Sequence, residues 1–259
     1  MKYLLILSAI TIFLTFTGCN ESAVTEADKN ISAEKTSKSL SSQYLYTENN
    51  LPENILNITS ASLNSDIAVC ISNQKYDGFI YTENGGEHWE SIKSLPDVMR
   101  DNNYNMVLSA DGKSLIWKNK YITSDFGENW YYIEGLEENA EITADKVNPE
   151  KFYAVCNGTF YYSYDGGYNF ISSERKVLNN NPAVPQNQEG HIWLIDENNN
   201  IIYSCDSGKS FSTLKNIKAD FIYTGNIKDN DRYYLYAFRD DKVFFSSDTG
   251  KNWQELKNS

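Results

Sequence analysis

The sequence predicts an all-β protein built from about five similar units, and three observations predict it. The 259-residue chain is 14% aromatic and 41% hydrophobic with 5 Pro, a composition that favours strands over disorder. One eight-residue motif occurs in five copies, and the copies begin 41, 40, 41 and 42 residues apart. A unit of that length holds four short strands, which is the size of one blade of a β-propeller.

Each copy of the motif reads Ser or Thr, any residue, Asp or Asn, any residue, Gly, any two residues, and Trp or Phe. The short acid or amide can accept backbone N–H bonds within a turn, Gly supplies a positive φ, and the aromatic ring packs beneath. We therefore expect a tight hairpin between the third and fourth strands of each unit. The residues with this structural role are Thr82, Asn84, Gly86 and Trp89; Thr123, Asp125, Gly127 and Trp130; Ser163, Asp165, Gly167 and Phe170; Ser204, Asp206, Gly208 and Phe211; and Ser246, Asp248, Gly250 and Trp253.

The flanks of the motif repeat as well. Two apolar residues precede every copy, as in Ile80-Tyr81 and Phe244-Phe245. A β-rich run lies further upstream in each unit, as at residues 152–155 and 233–236. Together these runs supply four strands per unit, so we expect residues 43–259 to form a single propeller of about five four-stranded blades.

The five motifs resemble the Asp-box, or BNR, repeats of sialidases, sortilin-type receptors, xyloglucanases and photosystem II assembly factors. Residues 148–154, with the sequence Asn-Pro-Glu-Lys-Phe-Tyr-Ala, also resemble the strand that precedes the box in sortilin and xyloglucanase blades. The resemblance covers about residues 55–259. It implies a propeller fold, and because the box is a structural element it does not choose among the activities of these families.

The N-terminal residues are expected to direct the protein to a membrane. An apolar stretch from Leu4 to Phe16 is too short to span a bilayer as a helix, and it ends in Gly18-Cys19, which resembles the bacterial lipobox. An ordinary secretory signal with a chance Cys is the alternative. Residues 20–42 have almost no large apolar side chain and cannot offset their ordering entropy.

These features predict a signal peptide at residues 1–18 and then a lipidated Cys19 that begins a flexible tether over residues 19–42. The protein is expected to be exported and anchored to the bacterial cell envelope, at the outer membrane, its periplasmic face or the cell surface. The predicted membrane contact is through the lipid anchor alone.

Charge and composition exclude several function classes. Acidic residues outnumber basic ones by 35 to 23, for a formal net charge of −12, so nucleic acid is not an expected partner. With 2 His and 4 Cys there is no zinc-like spacing, and the box acids lie on different blades where they cannot converge on one ion. We expect no metal and no cofactor. Sialidase activity is not expected, because none of the 4 Arg lies in the Arg-Ile/Leu-Pro motif of that family.

The resulting expectation is a monomeric, non-catalytic propeller that binds a protein partner in a scaffold, assembly or receptor-like role. The alternative is a glycan-binding or glycoside-hydrolase protein of sialidase-like type that contacts an envelope glycan; as an enzyme it would be a glycosidase. Trp117 and Trp193 lie outside the boxes and could stack on a sugar, as could Tyr104, Tyr223 and Tyr234, but packing between blades is the competing interpretation. The Asn-rich residues 179–188 are either a binding loop or a solvated connection.

Overall fold

The computed structural model describes residues 55–72, 78–91, 105–137, 139–178, 180–230 and 232–257. Within these ranges every regular element is a β-strand, so the expected all-β class is confirmed. The structure also shows no helix, across these ranges, that is long and apolar enough to cross a membrane. The predicted signal peptide, Cys19 and tether lie outside the described residues.

In the described residues, nineteen strands form five antiparallel sheets, and the strands of each sheet follow one another in chain order. Each sheet contains one copy of the sequence motif. Sheet 1 contains β1 (Ile55–Ser60), β2 (Ala68–Ser72), β3 (Gly78–Thr82) and β4 (Glu90–Ser91); sheet 2 contains β5 (Met106–Leu108), β6 (Leu115–Trp117), β7 (Tyr121–Thr123) and β8 (Tyr131–Tyr132); sheet 3 contains β9 (Glu141–Ala144), β10 (Phe152–Cys156), β11 (Thr159–Ser163) and β12 (Ile171–Lys176); sheet 4 contains β13 (Ile192–Ile195), β14 (Asn200–Ser204) and β15 (Ser212–Lys218); sheet 5 contains β16 (Phe221–Asp229), β17 (Arg232–Arg239), β18 (Lys242–Ser246) and β19 (Gln254–Leu256).

Sheet 4 departs from the expected four strands. In place of a first strand it has two isolated bridges, Val177 with Asp196 and Ala183 with Trp193, and the backbone groups of the second pair bond at 3.0 and 2.9 Å. Pro182 and Pro185 flank Ala183, and a proline has no N–H to donate to a ladder. The remaining four sheets have four strands each.

Among the residues that the structure describes, four clusters of buried apolar side chains lie between successive sheets, joining sheet 1 to 2, 2 to 3, 3 to 4 and 4 to 5. The second strand of a sheet can therefore be buried on both faces. In β10, Phe152 packs into the cluster with sheet 2 and its neighbour Tyr153 into the cluster with sheet 4, and both are fully buried. Side chains of a strand alternate between faces, so a nearly uninterrupted apolar run fits a sheet packed on both sides.

The five motifs form one repeated turn. In each, the Ser or Thr hydroxyl donates to the Asp or Asn Oδ1 at 2.7–2.9 Å and accepts the Gly N–H at 2.9–3.1 Å. The Gly and the residue before it both have positive φ, as for Phe126 (51°) and Gly127 (80°). Two such residues in succession define the type I′ turn, whose twist suits a hairpin.

Candidate functional site

A cavity of about 360 Å³ lies where the first strands of sheets 3 and 5 approach residues 180–184, a volume within the range of ligand pockets. Strand β9 contributes Glu141 and Thr143, and Lys146 follows the same strand. Asn180 and Asn181 come from the Asn-rich connection. Residues distant in sequence therefore supply a carboxylate, an ammonium, a hydroxyl and amides to one site.

A second cavity of about 160 Å³ shares Glu141 and Asn181 with the first. Its further polar residues are Asn57 from sheet 1 and Asn105 and Asn119 from sheet 2. The two neighbouring cavities thus collect amide side chains from sheet 1, from sheet 2 and from the connection between sheets 3 and 4. Amides both donate and accept hydrogen bonds, which suits a ligand that carries many hydroxyl groups.

Strand β16 supplies the aromatic wall of the larger cavity. Because side chains alternate along a strand, Ile222 packs into the cluster with sheet 4 while Phe221 and Tyr223 on either side stay 50% and 61% exposed. An exposed aromatic ring beside carboxylate, amide and hydroxyl groups is suited to a sugar, whose C–H face stacks on the ring while its hydroxyls form hydrogen bonds.

The charged groups at this cavity differ in their surroundings. Burial lowers the pKa of Lys146, and the nearby carboxylate of Asp145 partly counters that effect. Asp145 itself is buried and accepts bonds from Tyr153, Gly190 and two backbone N–H groups, each at 2.9 Å, so its role is structural. Glu141 is the carboxylate that lines the cavity among the described residues. Most glycoside hydrolases use a pair of carboxyl groups.

The aromatic residues singled out from the sequence separate into two groups. Trp117 and Trp193 are 2% and 3% exposed and belong to core clusters. The Trp117 ring meets Phe79 edge-on at 4.6 Å, and the Trp193 ring stacks on Tyr203 at 5.0 Å. The ring faces of both tryptophans are therefore not available to a sugar. Both rings pack between sheets, as the competing interpretation expects.

The other tyrosines named from the sequence lie elsewhere. Tyr223 lines the cavity, Tyr234 lies half-buried on sheet 5, and Tyr104 is outside the described residues. Sequence reasoning did not find Glu141 or Lys146, since neither belongs to a motif. Asn180 and Asn181 lie in the Asn-rich connection that the sequence does mark. Across the described ranges no group of three or more His, Cys, Asp or Glu could hold a metal ion.

The described fold is similar to that of propeller-type proteins: a GH74 xyloglucanase from Xanthomonas campestris superposes with a TM-score of 0.64 and 22% identity, covering 78% of this chain and 32% of that one. No protein-family model matches the chain. Xyloglucanase Xgh74A of Acetivibrio thermocellus is 29% identical over 191 residues, and a xyloglucanase of a Paenibacillus species is 29% identical over 195 residues.

Both alignments cover 68% of this chain but 22% and 19% of the relatives, so the chain spans about a fifth of their length. These relatives overturn the expectation of a non-catalytic, protein-binding propeller. That prediction is wrong because the similar proteins are named as enzymes of polysaccharide breakdown. The prediction failed because it was based on the repeated motif, and similar motifs occur in propellers of many activities. The alternative, a glycan-binding or glycoside-hydrolase protein, is the one that the comparison favours.

Proposed function

We propose that this chain is a carbohydrate-active protein of the glycoside-hydrolase type, and that a neutral, xyloglucan-like polysaccharide binds in the larger cavity. The observation that carries the proposal is the exposed Phe221 and Tyr223 pair beside Glu141 and Asn181. The similarity to xyloglucanases over two thirds of the chain supports it. A formal charge of −12 disfavours an anionic glycan by long-range repulsion.

In this proposal the aromatic rings hold the apolar face of a sugar while the amides and Thr143 bind its hydroxyls. Glu141 is the candidate for one of the two carboxyl groups that glycoside hydrolysis requires, as acid, base or nucleophile. If Glu141 acts in cleavage, its charge matters more for turnover than for affinity. If it only orients a hydroxyl, its loss weakens binding.

The test measures binding and cleavage separately on the purified mature chain. Affinity electrophoresis in gels containing xyloglucan, a mixed-linkage β-glucan or polygalacturonate reports binding, and reducing-end release reports cleavage. We expect retardation by the neutral glucans and not by the anionic polymer. Glu141→Gln is expected to lower cleavage by at least about 100-fold with binding nearly unchanged. Glu137→Gln, an exposed acid outside the cavity, is the matched control. Absence of binding to every glycan would overturn the proposal.

We also propose that the five sheets are consecutive blades of one propeller and that their turns are Asp boxes. Strand β1 neighbours β5, β5 neighbours β9, and β13 neighbours β16, which supports successive blades packed side by side. The propeller-type structural relatives support the same arrangement. An experimental structure of the mature chain that showed a blade number other than five would contradict this proposal.

For the N-terminus we propose lipidation at Cys19 and anchoring to the bacterial envelope. The lipobox-like residues Gly18-Cys19 after an apolar stretch support this. Metabolic labelling with an alkyne fatty acid tests it: the wild-type chain is expected to label and to sediment with membranes, and Cys19→Ser to do neither. Labelling that persists in Cys19→Ser would contradict the proposed site.

A further inference from the structure

The smaller of the two cavities, about 160 Å³ in volume, offers a ligand mainly polar groups. Its apolar residues Met106, Val107 and Ile142 pack into or against the clusters that join sheets 1, 2 and 3. The polar side chains that line it are four amides and one carboxylate, those of Asn57, Asn105, Asn119, Asn181 and Glu141. A cavity of this size holds about five waters, which is close to the volume of one sugar ring.

The amides of sheets 1 and 2 are held in place at this cavity. The side-chain oxygen of Asn57 accepts the next backbone N–H at 2.8 Å, and the buried Asn119 donates to the carbonyl of Ala140 at 2.5 Å. Asn105 is exposed, and its backbone carbonyl accepts the N–H of Lys118 at 2.9 Å. An amide can take part in up to four hydrogen bonds, so a bond within the protein does not prevent it from binding a sugar hydroxyl.

Glu141 and Asn181 line both cavities, so they lie at the boundary between them. The backbone on either side of Asn181 is bonded to sheet 5. Asn180 donates to the carbonyl that precedes β16, and the carbonyl of Val184 accepts a hydroxyl from β16, each at 2.8 Å. Asn181 is thus an exposed amide on a fixed segment, and such a residue can bind a ligand without the cost of ordering a loop.

We propose that the two cavities hold consecutive units of one glucan chain, with the linkage between the units at Glu141 and Asn181. The inference rests on the proposed function and assigns the units of its glycan to places in the site. One unit contacts Thr143 in the larger cavity, and the next forms hydrogen bonds to Asn57 and Asn105 in the smaller one. Glycoside hydrolases need their carboxyl groups beside the bond that is cut, and this placement brings the Glu141 carboxylate to a linkage.

The experiment measures by NMR titration how the affinity of the mature chain depends on ligand length. The one-unit ligand is methyl β-glucoside. The two-unit ligand has two β-1,4-linked glucose units joined through sulfur, so that cleavage does not consume it. Wild type is expected to bind the two-unit ligand at least about tenfold more tightly, because the second contact is intramolecular.

Asn105→Ala is expected to bind the two-unit ligand about five- to tenfold more weakly than wild type does, as loss of a hydrogen bond implies. Its affinity for the one-unit ligand is expected to stay within about twofold. Asn198→Ala removes an exposed amide outside both cavities and is the matched control, with wild-type affinity for both ligands.

Two kinds of failure are distinguishable. If wild type binds xyloglucan polymer but gains nothing from the second unit, or if Asn105→Ala weakens both ligands equally or neither, the inference is overturned while the proposed function stands. If wild type binds neither the polymer nor either short ligand, both are overturned.

A readout on the unmutated chain covers the case in which Asn105→Ala folds poorly. A diazirine is attached to one end or the other of the two-unit ligand, and the labelled peptides are mapped by mass spectrometry. One end is expected to label residues 105–107 of the smaller cavity, and the other end residues 221–224 of the larger cavity. Labelling of one cavity from both ends, or no labelling that xyloglucan polymer displaces, overturns the inference.

Discussion

The two faces of sheet 5 are formed by the same strands but differ in burial. On β17, Leu235 and Ala237 are fully buried against sheet 4, while Tyr234, Tyr236 and Phe238 between and beside them remain partly exposed. All five are apolar or aromatic, so hydrophobicity alone does not separate the faces. Residue type does not separate them either, because Tyr233 is fully buried on the same face as Leu235 and Ala237. The difference is that sheet 4 packs against one face, and we therefore expect the buried face to contribute more to the free energy of unfolding than the partly exposed outer face.

The largest expected effect is the loss of stability when a side chain on the buried face of sheet 5 is shortened. Leu235 is fully buried, and its Cδ1 lies 3.3 Å from the position of a Cβ on Gly250, so Leu235→Ala leaves a cavity in a tightly packed region. We expect a loss of about 2–5 kcal/mol in the free energy of unfolding, measured by urea denaturation. Tyr236→Ala, one residue away on the outer face, is expected to cost much less. Equal losses would show that the outer face is buried in solution.

A smaller effect is expected from removing one hydroxyl on the buried face. The Tyr233 hydroxyl accepts the Trp193 Nε1–H at 2.7 Å and lies 3.2 Å from His191 Nδ1. Burial raises the pKa of Tyr233, so its hydroxyl stays protonated. Tyr233→Phe leaves a buried indole N–H without this acceptor and is expected to cost about 1–3 kcal/mol in urea denaturation. Tyr234→Phe on the outer face is the control, with a change within error. A neutral Tyr233→Phe would mean that water replaces the hydroxyl.

The amino-acid sequence predicts the order of the sheets and the position of every box turn, because these follow from local chemistry at constant spacing. It does not predict which aromatic residues are exposed. Trp117 and Tyr223 both lie in apolar runs. When both faces of a strand are apolar, the alternation of its side chains does not indicate which face packs against another sheet. The sequence also does not predict the candidate cavity, because Glu141 and Tyr223 come together only through the arrangement of the sheets. The bridges that replace the first strand of sheet 4 could have been found from Pro182 and Pro185.

A gain in stability is expected where the sheet 5 box is strained. Thr249 has a φ of 58°, and its buried hydroxyl has no hydrogen-bond partner within the described part of the chain. Two other boxes have Gly85 and Gly166 at this position, where positive φ carries no steric cost. Thr249→Gly is expected to add about 1 kcal/mol and to raise Tm by about 2–4 °C, with polymer affinity unchanged. Thr249→Ala keeps the strained φ and is expected to gain less. A lower Tm for Thr249→Gly would contradict the strain argument.

The smallest expected effect is a pH dependence of the same box. Burial would raise the pKa of Asp248, but hydrogen bonds from Asn252 and Ser246 outweigh it and hold that pKa below its ordinary value. Because the folded-state pKa is lowered, the stabilisation is complete above the unfolded value of about 3.9 and is lost as pH falls through the folded value. Wild-type stability is therefore expected to decline between about pH 5 and pH 2, with Asp248→Asn showing a shallower decline.

Box 1 shows that an amide can fill this position, since Asn84 Oδ1 accepts from Thr82 and from the His88 N–H, both at 2.9 Å. At pH 7, Asp248→Asn is thus expected to unfold at nearly the wild-type urea concentration. Urea midpoints of the two chains at pH 7, 5, 4 and 3 measure the difference. Trp253 of this box packs on the cluster between sheets 4 and 5. Protonation of Asp248 at low pH is therefore expected to weaken the turn that holds Trp253 against the buried face of sheet 5. A steeper decline in Asp248→Asn than in wild type would show that the carboxylate does not stabilise the folded state.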